Sequence, residues 1–417
     1  MLNLRLLRFM DLPILISAGL LIVLSFLMIY SATFPLQQKL HSDPQFYVKR
    51  QATSLLFGII AFLIFIYFDY RHWERLANPL YILMLFLLMA VLFVGYTAYG
   101  AQRWLGVGFL SLQPSELAKL IMVLVLAKYF VARLGQHYNL VDMLVPFLVV
   151  FIPFLLVFKQ PDLGTALVFM AILLGLSLWG GVSSLLIVLA LSPLLSLFIR
   201  SLGGWIWLGY TAGVGILMLN YRYIKLKLTD AVVFFSANVV AGLALSYIWG
   251  MLKVYQQKRI LAFFNPEIDP LGAGYHALQS KIAIGSGGFF GKGLFQGTQT
   301  RLQFIPQQQT DFIFSVVGEE LGFLGCLLVV GLFSIIIWRA VRIAATARDP
   351  FGSLVAGGIA VIFLFQLLVN VGMTIGLMPV VGIPLPLMSF GGSSLILNLI
   401  NLGILESIAM RRQKILF

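Results

Sequence analysis

Long apolar runs alternate with short polar joints along almost the whole chain. They fall at about 12–32, 53–68, 77–96, 117–133, 143–158, 163–180, 183–199, 204–220, 230–250, 312–338, 353–378 and 386–409. Each approaches the roughly 20 residues that carry an α-helix across a hydrocarbon core of about 30 Å. A backbone inside lipid must satisfy its own N–H and C=O groups, so runs of this length are predicted to be helices. The pattern predicts an all-α, polytopic transmembrane helical bundle of about 10–12 spans, one integral membrane domain over residues 1–417. One joint is far longer than the rest: residues 251–311, just before the third-last span, form a loop of about 60 residues. Within it, Tyr275 to Ile284 has amphipathic helical spacing and is expected to lie in the membrane interface. Its glycine clusters, Gly285 to Gly288 and Gly291-Lys292-Gly293, permit close backbone approach.

Composition agrees with a membrane protein. Of 417 residues, 60% are hydrophobic and 10% charged, against about 45–50% and about 25% in soluble domains. A formal net charge of +13 invites a nucleic-acid reading, but the basic residues do not form one stripe. They gather at run ends: Arg5 and Arg8, Arg71 and Arg75, Tyr221 to Lys227, Arg339, Arg342 and Arg348, and Arg411, Arg412 and Lys414. That is the positive-inside pattern. It excludes nucleic acid as the expected partner and puts both termini on the cytoplasmic side of the membrane. Segments 33–52, 97–116 and 251–311 then face outward. The basic start followed by an apolar run reads as an uncleaved first span. Cys326 lies in an apolar run as a packing residue, and the four histidines have no metal-ligand spacing.

Charges within or beside spans are costly and need a reason. Glu116 and Lys119 stand at i, i+3 at the start of the fourth run, behind Pro114. They form either a pair capping a helix at the membrane surface or the wall of a polar cavity. Asp311 ends the long loop where Phe312-Ile313-Phe314 enters the bilayer. It is either a carboxylate on a helix N-terminus or a base or metal ligand facing a lipid-tailed substrate. Of Glu319 and Glu320, at least one must face protein. Asp162 reads as a helix start, with Lys159 its candidate partner; Asn370, Asn398 and Asn401 read as interhelical hydrogen-bonding groups. The segment Pro379 to Ser394, dense in Pro, Gly and Ser, fits either a re-entrant stretch lining a cavity or an ordinary loop.

Several stretches carry a family resemblance when taken together. They are Ala101-Gln-Arg-Trp104, Gln113-Pro-Ser-Glu116 with Lys119, Gln160-Pro-Asp-Leu-Gly-Thr165, Asn265 to Tyr275, Gln279 to Gly288, Thr310-Asp-Phe-Ile-Phe314, Gly318-Glu-Glu-Leu-Gly322 and Pro384 to Ser394. In this order they resemble the SEDS family (shape, elongation, division and sporulation), and most closely its elongation branch. The resemblance implies a peptidoglycan glycosyltransferase that polymerises lipid II, working with a class B penicillin-binding transpeptidase. It implies that Asp311 is the essential external aspartate, that Glu116 and Lys119 are the charged pair near the central cavity, and that Arg103 is the basic residue of the preceding external loop.

The sequence departs from the family in three places. The family has ten spans, so residues of about 183–229 are expected to hold an extra helix pair. Gln307-Gln308-Gln309 stand where a charged residue and a histidine are common, and Phe390 replaces a common tyrosine.

The expected chemistry deprotonates a sugar hydroxyl as it attacks an anomeric carbon carrying a lipid diphosphate. Asp311 is the expected base or metal ligand. Arg103, Lys119, Lys281 and Lys292 are candidates for contact with the diphosphate, in that order, and a divalent cation such as Mg or Mn is a candidate cofactor. A flippase for the lipid-linked precursor is the alternative, and a non-catalytic scaffold is a third reading. An acid at the outer surface favours chemistry, since transporters hold substrate near the midplane.

Overall fold

The computed structural model describes residues 8–39, 41–98, 101–107, 110–136, 138–219, 227–252, 254–265, 272–305 and 307–412. The basic residues Arg5, Arg222, Lys225 and Lys414, and the Pro266 to Leu271 part of one motif, lie outside the described residues.

The apolar runs become helices: α1 (Leu12–Lys39), α2 (Phe46–Tyr67), α3 (Arg71–Val94), α4 (Pro114–Val131), α5 (Leu140–Lys159), α6 (Leu163–Trp179), α7 (Ser184–Leu202), α8 (Gly204–Leu219) and α9 (Leu228–Met251). Within the long loop lie α10 (Val254–Phe264), α11 (Ala273–Ser286) and α12 (Thr298–Leu302). Then come α13 (Ile313–Glu320), α14 (Gly322–Ala345), α15 (Pro350–Thr374) and α16 (Gly392–Arg411). Nine spans among the described residues are long and apolar enough to cross a membrane, counting Ile313–Ala345 as one. The shorter apolar α6 and α8, and the charged α4, complete the bundle. The joint after α3 is a three-stranded antiparallel sheet, β1 (Tyr96–Ala98), β2 (Ala101–Val107) and β3 (Leu110–Leu112), in the order β1-β2-β3.

The centre of the bundle is α15 and α16, whose apolar windows are 72% and 83% buried; those of the other spans are 22–39% buried. Small residues let helices close on this centre. A Cβ on Gly58 of α2 would meet the Leu399 side chain at 2.4 Å, and one on Gly403 of α16 would meet the Phe62 carbonyl at 2.9 Å. Further out, α7, α8 and α9 pack on one another around a polar knot. Asn238 Nδ2 donates to Ser192 Oγ (2.7 Å), Tyr210 OH to Asn238 Oδ1 (2.9 Å), and Trp207 Nε1 to Ser196 Oγ (2.9 Å).

The bundle has two unlike ends. At one, charges close into locks between helices. Arg339 Nε donates to Asp11 Oδ1 at 2.7 Å, and the Asp11 N–H donates to Glu406 Oε2 at 2.8 Å, joining α14, α1 and α16. The Tyr70 hydroxyl donates to Asp349, which also N-caps α15 through the Gly352 N–H (2.9 Å). Arg411 donates to the Tyr67 carbonyl (2.9 Å), capping the end of α2.

At the other end the backbone is irregular. α13 and α14 break at Gly322 (φ 67°), and the loop before them fills the break. Lys292 N–H donates to Glu319 O (3.0 Å), Gly293 N–H to Glu320 O (3.0 Å), and Phe323 N–H to Gly288 O (2.9 Å). A Cβ on Gly287 would sit 1.9 Å from the Gly318 carbonyl. The glycine clusters of the long loop thus serve backbone packing at membrane depth, where unpaired peptide groups are not tolerated. α11 covers the expected Tyr275 to Ile284 helix; Ala283 and Ser280 face inward, while Leu278 and Ile282 are exposed.

Candidate active site

Asp311 sits on the turn that leads into α13. Three successive carbonyls of this turn accept hydrogen bonds from elsewhere in the bundle. Phe390 N–H donates to Gln309 O (2.8 Å), Ser389 Oγ to Thr310 O (2.5 Å), and Asn370 Nδ2 to Asp311 O (2.9 Å). Asn370 Nδ2 is shared with Ile383 O at 2.8 Å, so one buried amide ties the Asp311 backbone to the Pro-rich segment. From the other side, Gln308 Nε2 donates to Ala32 O of α1 (2.6 Å) and to Thr300 O of α12 (3.1 Å). Gly382 (φ 73°) faces the acid: a Cβ there would lie 3.1 Å from Asp311 Oδ2. The segment from Pro379 to Gly391 is non-helical, because its prolines cannot supply helical N–H donors.

A second cluster lies at the start of α4 and α6. Lys119 Nζ and Glu116 Oε1 pair at 2.7 Å with side chains 6% and 5% exposed, so the pair is inside the protein and not a surface cap. Asp162 N-caps α6, accepting from Thr165 N–H (3.3 Å) and Thr165 Oγ1 (3.0 Å). It also accepts from Gln113 Nε2 (3.2 Å) and Ser115 Oγ (3.3 Å). Its cation is Arg103, at 3.8 Å, rather than Lys159; the Arg103 guanidinium also donates to the Gln160 and Pro161 carbonyls.

The two clusters meet through the Pro379 to Ser394 segment. Gln113 N–H donates to Ser393 Oγ at 3.2 Å. The start of α6 lies so close that a Cβ on Gly164 would be 3.0 Å from the Val381 carbonyl. The same segment therefore touches the Asp311 turn on one side and the Gln113-Pro-Ser-Glu116 and Asp162 motifs on the other.

The remaining lysines part company. Lys281, exposed on α11, lies across Gly376 at the end of α15 and makes no ion pair among the described residues. Lys292 is bound to Glu319 at 2.9 Å. Glu319, fully buried, also accepts from Thr298 Oγ1 (3.1 Å), Gln299 N–H (2.8 Å), and the N–H (3.0 Å) and Oγ1 (2.8 Å) of Thr300. This carboxylate staples the loop that carries α12. Glu320 is fully buried as well and accepts from Ser31 of α1. Among the described residues no group of three or more His, Cys, Asp or Glu side chains is placed to hold a metal ion.

The groups that hold the Asp311 turn carry little signal of that role in the sequence: Gln308 reads only as a departure from the family, Ser389 only as part of the Pro-rich segment, and Asn370 only as a link between helices. The signal for Asn370 was its amide, deep in an otherwise apolar run.

This geometry has known relatives. A family model described as cell cycle protein, FtsW/RodA/SpoVE, matches residues 11–208 and 185–414. The chain is 37% identical over 367 residues to the peptidoglycan glycosyltransferase MrdB of Escherichia coli (strain K12), covering 88% of this chain and 86% of that protein. It is 35% identical over 402 residues to stage V sporulation protein E of Bacillus subtilis (strain 168), covering 96% of each. Among solved structures, a chain from a study of polymerization and crosslinking by a peptidoglycan synthase complex matches with a TM-score of 0.70. It is 28% identical, and the match covers 97% of this chain and 98% of that one. The rod shape determining protein RodA of Thermus thermophilus matches with a TM-score of 0.63 at 26% identity, covering 97% of this chain and 98% of that one. By sequence over nearly its whole length, and by fold, this chain belongs to the FtsW/RodA/SpoVE family of cell cycle proteins.

Proposed function

We propose that this chain is a peptidoglycan glycosyltransferase of the cell-elongation type, polymerising lipid II at the outer face of the bacterial inner membrane beside a class B penicillin-binding transpeptidase. The observation that carries the reading is the Asp311 turn. Its backbone is fixed at three consecutive carbonyls, and its carboxylate lies beside the Gly382 backbone where the chain enters the membrane. The orientation is supported by charge. Arg8, Arg71, Arg75, Arg339, Arg342, Arg348, Arg411 and Arg412 all fall in short joints or tails at the end opposite Asp311, where the positive-inside rule expects them on a cytoplasmic face; the basic residues at the Asp311 end, such as Lys281, Lys292 and Arg301, fall largely in the long loop, to which the rule gives little weight.

In this mechanism Asp311 accepts the proton of the acceptor sugar's 4-hydroxyl as its oxygen bonds to the donor's anomeric carbon. The bond from that carbon to the lipid diphosphate breaks, and the diphosphate leaves with the electron pair. Of the four basic candidates, Lys119, Lys292 and Arg103 are already engaged with Glu116, Glu319 and the Asp162 loop. Lys281 is the one we assign to the diphosphate, because it alone of the four makes no ion pair among the described residues. If a Mg or Mn ion takes part, Asp311 is the residue that would hold it, and the ion would supply charge stabilisation to the departing diphosphate.

The test uses the purified chain with its transpeptidase partner, that partner's crosslinking site blocked, and labelled lipid II. Glycan polymer should form and should be lost in Asp311→Ala. Polymer from the variant at the wild-type rate overturns the reading. Transfer of lipid II across the bilayer without polymer supports a flippase, and neither activity supports a scaffold.

A further inference from the structure

Two adjoining cavities, of about 320 and 570 Å3, share Pro35 and Arg301 and form a groove between the end of α1 and the loop bearing α12. The inner part is aromatic. Tyr30 packs against Phe34 at 5.6 Å and edge-on to Phe295 at 5.7 Å. The outer part is polar, with Gln38, Lys39, Thr298 and Arg301. Its two charged side chains are both basic, both exposed, and neither makes an ion pair among the described residues. The nearby acids cannot neutralise them, because Glu319 and Glu320 are fully buried, the first bound to Lys292 and the second to Ser31.

The groove opens at the end of a membrane span, at the level where rings meet lipid and cations meet headgroups. An aromatic floor under a cationic rim suits one class of ligand, an acyl chain bearing an anionic phosphate. A volume of a few hundred Å3 holds a molecule of roughly drug size. That accommodates a phosphoglycerol head with the first part of its chains, and is small for a lipid-linked disaccharide peptide. We propose that this groove is a binding site for an anionic bilayer phospholipid, separate from the Asp311 site.

Occupancy has a route to the Asp311 turn. Gln308, three residues before the acid, donates to Ala32 of α1 and to Thr300 of α12, the two elements that wall the groove. A phospholipid bridging these walls holds them at the spacing Gln308 spans, and so favours the ordered turn. The binding claim stands without the polymerase reading, whereas its effect on turnover rests on that reading.

The experiment places the full chain in nanodiscs of phosphatidylcholine alone and of phosphatidylcholine with phosphatidylglycerol. Co-purifying lipid is measured by native mass spectrometry. Wild type should retain phosphatidylglycerol over phosphatidylcholine, and Lys39→Gln and Arg301→Gln should each weaken that preference about fivefold. Arg301→Lys, which keeps the charge, should restore most of it. Equal retention of the two lipids by wild type, or a preference untouched by both charge removals, overturns the proposal. So does a competition arm in which undecaprenyl diphosphate displaces phosphatidylglycerol from the groove. In the polymerisation assay, added phosphatidylglycerol should raise turnover of wild type but not of the Lys39→Gln/Arg301→Gln pair, the two being equal in phosphatidylcholine alone. Absence of polymer in every disc counts against the polymerase reading, while lipid retention still decides the site.

Discussion

At the end of the bundle opposite Asp311, charged groups lock regular helices to one another: Arg339 to Asp11, Asp349 to Tyr70, Arg411 to the Tyr67 carbonyl. At the Asp311 end the bonds that matter most run from side chains to backbone. Asn370, Ser389 and Gln308 spend their polar groups on carbonyls of the turn, of the Pro-rich segment and of α1 and α12. The first arrangement fixes helices relative to one another. The second fixes the path of a non-helical chain, which lipid does not otherwise allow. The contrast teaches that a site at the membrane edge is built by paying for irregular backbone with buried amides and hydroxyls.

Substitutions can break or sharpen that contrast. The largest effect is expected where a charge would be stranded at the site end. Lys119→Ala leaves Glu116 buried without its partner and should cost about 3–5 kcal/mol of stability together with activity. Replacing both partners, in Glu116→Gln/Lys119→Met, should recover most of the stability in chemical denaturation of detergent-solubilised protein. Next comes Arg339→Ala at the locked end. It leaves the fully buried Asp11 carboxylate without its cation and should also cost about 3–5 kcal/mol of stability, lowering the melting temperature while polymerisation per folded molecule stays unchanged. If that variant loses turnover with its stability intact, the two ends do not divide the work as described.

Asn370→Ala should act in the reverse sense. It frees the Asp311 carbonyl and should lower kcat about tenfold, the equivalent of about 1.4 kcal/mol on the barrier. KM should hold within about twofold, since the substrate is not what Asn370 touches. An equal rise in KM would mean that Asn370 shapes binding and not the position of the acid. The smallest effect belongs to Lys49→Ala, which breaks an exposed pair with Asp43. No change in melting temperature or turnover is expected there.

Most of the helices were legible because lipid makes hydrophobicity a direct readout of span. Every run predicted from the sequence contains a helix, although the ends moved. α2 begins at Phe46, seven residues before its apolar run, because Lys49, Arg50 and Gln51 extend the helix beyond the apolar stretch. α16 begins at Gly392 instead of about 386, because residues 386–388 close a turn, with Leu387 in the left-handed region (φ 61°) and the Ser389 N–H donating back to Leu385 O at 2.9 Å. The small sheet β1–β3 was invisible, since β1 and β3 have three residues each and the seven of β2, Ala101–Val107, do not alternate apolar with polar. At the candidate site, the acid and the Glu116–Lys119 pair announce themselves as charges in apolar surroundings. Asn370 stands out as an amide in an apolar run but its partners do not, and Gln308 and Ser389 carry no such signal, because the role of a neutral amide or hydroxyl is set by a partner distant in sequence.

Gly382 bears on antibiotic resistance. The residue opposite the acid has a left-handed backbone that disfavours any side chain, and a single added methyl would crowd the carboxylate at 3.1 Å. An inhibitor that takes its grip from this stretch of main chain would meet a surface that mutation can scarcely alter. Escape by a bulkier residue there would press on Asp311, the acid we propose as the base.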